Sequence, residues 1–145
     1  MNSINLNRTH KTFSASAVAL EATARRVDKD TRLTVQLRAS FINNCRYCIE
    51  LHSCEAGKRG WDDNRIALLR DTRPGDWSAT DLSDDTVLVL EFTDMGTRLS
   101  EIEPHQREVL IQRVVDRFGV NGASDLITAI TAINMWNRIS VLSGK

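Results

Sequence analysis

The chain has 145 residues, enough for one domain with a substantial core, and 41% of them are hydrophobic. Its 19 Lys and Arg residues balance 19 Asp and Glu residues, and no basic block indicates a nucleic-acid partner. No apolar run is long enough to span a membrane and the polar N-terminus is unlike a secretory signal, so a soluble cytoplasmic protein is expected.

Helical periodicity and capping residues recur along the chain, without internal repeats or partner strands, and predict one all-α domain over residues 1–145. Residues 1–12 are polar and are expected to form a loose N-terminal arm. About six to seven helices are predicted: from residue 14 or 16 to about 26, from 30 or 31 to about 41, from 43 or 44 to about 58, from 61 into a loop at 72–80, from 81 or 83 to 99, from 104 to about 118, and from 124 to about 142.

Two stretches of the sequence depart from a simple amphipathic helical pattern. The β-branched run at 87–90 is compatible with a strand, but the polar residues after it and the lack of a partner strand favour a helix. The last helix is apolar on more than one face, which predicts burial at the centre of the domain or against another subunit.

Residues 43–52 contain the chemically informative motif, Cys-x-x-Cys-x-x-x-His, formed by Cys45, Cys48 and His52. Each residue of a helix turns by roughly 100°, so these three side chains share one face. Residues at i and i+3 also have the Cα separation of roughly 5–6 Å that a disulfide requires. Thiols in the first helical turn are stabilised as thiolates, and a histidine near neutral pKa can exchange protons with them. The pattern therefore predicts a redox site.

Three other interpretations of the cysteines remain open from spacing alone. They are small buried hydrophobes, or zinc ligands with His52 and Cys54, or the motif of a thioredoxin fold. Cys54 lies about 120° from Cys48 on the helix, which disfavours the zinc site. No strand-like run flanks the motif, which disfavours a thioredoxin fold.

The stretch 37–52, Leu-Arg-Ala-Ser-Phe-Ile-Asn-Asn-Cys-Arg-Tyr-Cys-Ile-Glu-Leu-His, resembles the signature of the carboxymuconolactone decarboxylase/AhpD-like alkylhydroperoxidase family. Residues 132–138 resemble the second recurrent block of that family, and 57–71 match in type. The resemblance implies an all-α AhpD-like bundle assembled as a homo-oligomer, a trimer or a hexamer. It also implies reduction of hydroperoxides in antioxidant defence, without a metal or other cofactor, and with a dithiol protein as electron donor.

The same resemblance implies roles for individual residues. Cys48 corresponds to the peroxidatic cysteine, Cys45 to the resolving cysteine and His52 to a member of the proton relay. Tyr47 occupies a position where relatives often carry tyrosine. Relatives that decarboxylate a lactone lack the Cys-x-x-Cys pair, so the other reaction named for the family fits this chain poorly.

One departure from the family pattern concerns the relay carboxylate. Relatives with a full relay usually have a glutamate twelve residues before the first cysteine, where this chain has Leu33. Loss of a positioned proton-transfer group typically costs about 10²–10⁴ in rate, so a weakened peroxidase is expected. Asp94 is the hypothesised substitute that reaches His52, and a surface or capping residue is the favoured alternative for it. Glu50 is expected to be solvated.

The remaining residues of interest are expected to be structural. Trp136 is predicted to be a core residue, with the wall of the thiol pocket as the alternative, and Cys54 a buried small residue. Overall the sequence predicts a thiol peroxidase or disulfide reductase. The alternatives are a redox sensor with weak turnover and a non-catalytic oligomeric binding module.

Overall fold

The computed structural model describes residues 3–145, and all regular elements in that range are helical. Two short 3-10 turns accompany seven α-helices: α1 Leu6–Thr9, α2 Lys11–Thr23, α3 Lys29–Ile42, α4 Arg46–Lys58, α5 Asp63–Asp71, α6 Asp84–Thr97 and α7 Pro104–Leu142. The all-α prediction is confirmed, including the helical state of residues 87–90.

Side-chain caps explain why several helices begin where they do. Asp28 accepts a hydrogen bond from the Thr31 N–H at the start of α3. Asp62 caps α5 and Ser83 caps α6 in the same way. Each side-chain oxygen accepts a hydrogen bond from the backbone N–H three residues later. Each cap supplies a partner for one of the N–H groups that a helix start leaves free.

The observed helices differ from the predicted ones at both ends of the chain. The expected loose arm is wrong for residues 6–12, because α1 occupies Leu6–Thr9 and α2 begins at Lys11; residues 1 and 2 lie outside the described range. The predicted break between the last two helices is a single kink at Gly119, with φ 72° and ψ 170°, after which α7 continues. Glycine adopts this backbone conformation without a steric penalty.

Helix α3 lies at the centre of the bundle and packs against α4, α5, α6 and α7. One core cluster joins α3 to α6 and α7, through residues such as Val35, Phe92 and Ile133. A second joins α3 to α4, α5 and α6, through residues such as Leu37, Ala56 and Leu90. The helix that leads into the cysteine motif is therefore held on both sides by apolar packing.

The C-terminal part of α7 is buried on its inner face, as predicted for a central helix. It also leaves Val120, Ile127 and Leu142 more than half exposed. Within the described part of the chain, no helix combines the length and apolar character that crossing a bilayer would require.

Candidate functional site

The cysteine pair lies in the tight connection between α3 and α4. Asn44 has a positive φ of 51°, and the Cys45 N–H donates to the Ser40 carbonyl at 3.0 Å. This turn makes Cys45 the N-cap of α4, in place of the predicted Asn43 or Asn44. The two cysteines are joined by a disulfide with a Cα separation of 5.3 Å, within the range that such a bond requires.

An amide of Asn43 fixes this turn to the last helix. Its Nδ2 donates to the Oδ1 atoms of Asn134 and Asn137, at 3.0 and 2.9 Å. Asn137 in turn donates to Ser40 Oγ on α3 at 3.0 Å. Because buried amides are costly to leave unpaired, this network holds the position of the cysteine turn against α7.

Of the two disulfide-bonded cysteines, Cys48 is the one that lines a cavity. A cavity of about 430 Å³ lies between α2, α3, α4 and α7, and Cys48 and His52 both form part of its wall. Cys45 has 0% exposed surface and is not among the lining residues, whereas Cys48 is 3% exposed. A small molecule in the cavity therefore reaches Cys48 and not Cys45.

The position of Cys48 also favours its thiolate when the pair is reduced. It is the third residue of α4, in the turn where unpaired N–H groups and the helix dipole stabilise negative charge. Its own backbone N–H points to Cys45 Sγ, at 3.4 Å. Both sulfurs therefore lie in the positive field of the helix start, which is the environment of reactive cysteines.

His52 lies one turn further along α4 and has a carboxylate partner. The ring is 8% exposed, and its Nδ1 is 3.0 Å from Glu55 Oε2. Burial lowers the pKa of His52 below its usual value, and the hydrogen bond and charge of Glu55 offset only part of that effect. A neutral ring whose Nδ1–H donates to Glu55 keeps a lone pair on Nε2, so His52 is able to accept a proton there.

Glu55 is itself held in its ionised form. Burial works to raise the pKa of its carboxyl, but His52 and the Lys29 ammonium, 3.5 Å away, outweigh that effect and lower it. The sequence analysis missed Glu55, although its spacing of three residues from His52 on one helix is a readable signal. The position that holds the relay glutamate in the family pattern is Leu33, which is fully buried in the second core cluster.

The prediction that Asp94 reaches His52 is wrong. Asp94 is buried and its Oδ1 accepts from Arg38 Nε at 2.6 Å, while Oδ2 accepts from Trp77 Nε1 at 2.8 Å. Arg38 also donates to the backbone carbonyls of Leu69 and Thr72. Asp94 is therefore neither a relay member nor a surface residue: it belongs to a buried ion pair that ties α3 to α6.

Two aromatic residues named from the sequence lie at the cavity. Trp136 is only partly buried and lines it, so the pocket-wall alternative holds rather than the expected core position. Tyr47 also lines it and is 48% exposed, with the Lys145 ammonium 5.4 Å from its ring centre. Cys54 is exposed, contrary to the expectation of a buried residue. Within residues 3–145 no three His, Cys, Asp or Glu side chains converge in a metal-binding arrangement.

Comparison with known proteins agrees with this architecture. The model of the carboxymuconolactone decarboxylase family matches residues 11–77. The uncharacterized protein YdfG of Bacillus subtilis is 31% identical over 122 residues, which cover 82% of this chain and 77% of YdfG.

Two solved structures have the same fold. A protein of unknown function from Agrobacterium tumefaciens, proposed to be the antioxidant defence protein AhpD, superposes with a TM-score of 0.87 at 23% identity, covering 100% of this chain and 97% of its own. An uncharacterized peroxidase-related protein from Silicibacter sp. TM1040 superposes with a TM-score of 0.69 at 21% identity, covering 90% and 67%. The cysteine motif, the helical fold and the sequence match to YdfG lead to one assignment: this chain belongs to the carboxymuconolactone decarboxylase family.

Proposed function

We propose that this protein is a thiol-dependent hydroperoxidase in which Cys48 attacks the peroxide and Cys45 resolves the product. The observation that carries the proposal is that Cys48 faces the cavity beside His52, while its disulfide partner Cys45 is fully buried. The resemblance of residues 37–52 to AhpD-like peroxidases supports the same assignment of roles.

In the proposed first step, the Cys48 thiolate attacks the terminal oxygen of a hydroperoxide, ROOH, and the O–O bond breaks. The alkoxide takes up one proton and leaves as ROH, while Cys48 becomes a sulfenic acid. Neutral His52 accepts the proton from the Cys48 thiol beforehand and returns it to the leaving oxygen. Glu55 is a positioning residue in this step, because it holds the ring by Nδ1 and leaves Nε2 free.

In the second step the Cys45 thiolate attacks the sulfenic sulfur, and hydroxide leaves and is protonated to water. The product is the Cys45–Cys48 disulfide, the form that the structure contains. A dithiol protein then reduces this bond by thiol–disulfide exchange and leaves with a disulfide of its own. The cycle needs a reducing compartment, which is why we propose the cytoplasm. It requires no metal or organic cofactor.

The hydrogen bond from His52 to Glu55 changes the expectation about catalytic strength. The absence of a glutamate at position 33 predicted a weakened relay, but His52 has a carboxylate partner on its own helix. We therefore propose ordinary peroxidase turnover in place of the weak turnover of a redox sensor. Assembly into a trimer or hexamer remains part of the proposal, and the exposed apolar residues of α7 supply surface for it.

The experiment is peroxide-dependent loss of free thiols in the reduced protein, followed by intact mass. The wild type should form one internal disulfide, and Cys45→Ser should stop at a sulfenic acid on Cys48. Cys48→Ser should not react, and Cys54→Ser, which changes an exposed thiol outside the disulfide, should match the wild type.

Two results would redirect the assignment. Thiols that resist peroxide but exchange readily with a protein disulfide would identify a disulfide reductase. Thiols that do neither would leave a non-catalytic binding module.

A further inference from the structure

The cavity beside Cys48 carries an excess of positive charge. Its wall contains four cationic side chains and two carboxylates: Arg25, Lys29, Arg32, Lys145, Glu21 and Glu55. Both carboxylates are already paired, Glu21 with Arg25 at 2.7 Å and Glu55 with Lys29 at 3.5 Å. Arg32 is partly buried, and within residues 3–145 it forms no ion pair. A partly desolvated guanidinium without an anion is a ready site for one.

A second polar group without a partner lies one helical turn beyond Arg32. The Gln36 side chain lines the same cavity and is 9% exposed, and its Oε1 has no hydrogen-bond partner in the described part of the chain. Residues at i and i+4 share one face of a helix, so Arg32 and Gln36 form a polar strip on α3. This oxygen is itself shielded from the cavity, so Gln36 contributes to the polar wall without offering its Oε1 to a ligand.

A second part of the wall belongs to α7 and is largely apolar. Five apolar residues of α7 line the cavity, with Ser140 as the polar one: Ala129, Ala132, Ile133, Trp136 and Ile139. The volume of about 430 Å³ is within the usual range for sites of organic ligands. Hydrogen peroxide, roughly the size of two water molecules at about 30 Å³ each, would fill only a small part of it.

From these three features we propose that the cavity selects organic hydroperoxides that carry a carboxylate. The carboxylate pairs with Arg32, the carbon chain lies along the α7 wall, and the hydroperoxyl group reaches Cys48. A carboxylate fits this position, because the planar guanidinium binds it through two parallel hydrogen bonds. This inference rests on the proposed peroxidase function and adds the substrate class.

The test compares two hydroperoxides with one carbon skeleton. The first is a medium-chain fatty acid with a hydroperoxyl group at the end remote from its carboxylate, and the second is the methyl ester of the same compound. The readout is the second-order rate of thiol loss in the reduced wild type. We expect the acid to react about tenfold faster than the ester, the lower end of what one hydrogen-bonded charge contributes.

The variants then assign the preference to individual residues. Arg32→Gln should remove the preference for the acid, so that acid and ester react at about equal rates. Arg26→Gln removes the same charge from the exposed surface outside this cavity and should keep the preference.

A competition measurement in the wild type does not depend on the folding of any variant. The unoxidised fatty acid should slow the reaction of the hydroperoxy acid, and its methyl ester should not. Equal inhibition by the two compounds, or equal rates for acid and ester with Arg32→Gln unchanged, would overturn the substrate class while leaving the peroxidase. If Arg32→Gln slowed only the reduction step by the dithiol donor, Arg32 would be a donor contact and the inference would fail. If neither hydroperoxide oxidised Cys48, the proposed function itself would fail.

Discussion

Replacement of Glu55 by glutamine measures how far the chemistry of His52 depends on its carboxylate partner. The substitution keeps the size of the side chain and removes its charge. The affected contact is the 3.0 Å hydrogen bond from His52 Nδ1 to Glu55 Oε2. The substitution also removes the 3.5 Å ion pair between Glu55 and Lys29, so the shift of the pH profile, and not the rate alone, identifies the contribution of His52.

The magnitude follows from the exposure of the two groups. A hydrogen bond to a charged group contributes about 1.5–3 kcal/mol. The Glu55 side chain is 36% exposed, so solvent screens part of this, and about 1 kcal/mol remains. At 1.36 kcal/mol per tenfold change in rate, Glu55→Gln should slow thiol oxidation at neutral pH by about fivefold.

The pH dependence gives a second, independent readout. Burial lowers the pKa of His52, while the hydrogen bond and charge of Glu55 raise it. In the wild type, the oxidation rate should therefore fall on the acid side only below the usual histidine pKa of about 6.5, where His52 becomes protonated. Removing the Glu55 charge lowers the pKa further, so the acid limb of Glu55→Gln should move to still lower pH.

The assay is stopped-flow oxidation of the reduced protein across pH 4–8, with Glu50→Gln as the matched control. Glu50 is on the same helix and exposed, and its carboxylate pairs with Arg46 at 3.5 Å and not with His52. The control should keep both the rate and the pH profile of the wild type. An unchanged rate and an unchanged acid limb in Glu55→Gln would refute the positioning role.

Three further predictions concern stability and the cavity wall. Asp94→Asn leaves Arg38 buried without a counter-charge, so it should lower the free energy of unfolding by about 3 kcal/mol in a urea titration, with an unchanged oxidation rate in folded protein; a change below about 1 kcal/mol would contradict this. Gly119→Ala places a Cβ on a residue with φ 72° and should lower the free energy of unfolding by about 1–3 kcal/mol. Gly57→Ala lies in a regular helix with nothing within 4 Å of the added Cβ, so it should raise the free energy of unfolding by up to about 1 kcal/mol. Equal effects of the two variants in thermal melts would refute the assignment of strain to Gly119. Trp136→Ala removes part of the apolar cavity wall and should slow oxidation by cumene hydroperoxide about tenfold. The rate of oxidation by hydrogen peroxide should stay within about twofold of the wild type. An equal loss of rate for both peroxides would place Trp136 in the core rather than at the substrate.

Much of the fold was predictable because its signals are local. A cap such as Asp62 or Ser83 acts within three residues, and helical periodicity acts within one or two turns. The same locality placed Cys45, Cys48 and His52 together, since the pitch of a helix decides which of them share a face. Glu55 also belongs to this class, because it follows His52 by three residues on the same helix.

The boundaries that were predicted wrongly depend on neighbours. Residues 6–12 are polar, and helix propensity alone does not order them; they are helical where α1 and α2 pack on each other. The chain turns at Gly119 for a single residue, and α7 resumes at once because its apolar inner face continues on the core side.

Only the tertiary structure decided the partners that come from distant parts of the chain. Asp94 meets Arg38 across 56 residues, and Cys48 shares a cavity with Trp136, whereas Cys45 does not line it. Arg32 becomes a candidate ligand contact only because residues of α4 and α7 enclose the cavity that it lines. Spacing along one helix follows from 3.6 residues per turn, but pairing between helices follows from how their apolar faces pack, and that is a property of the whole chain.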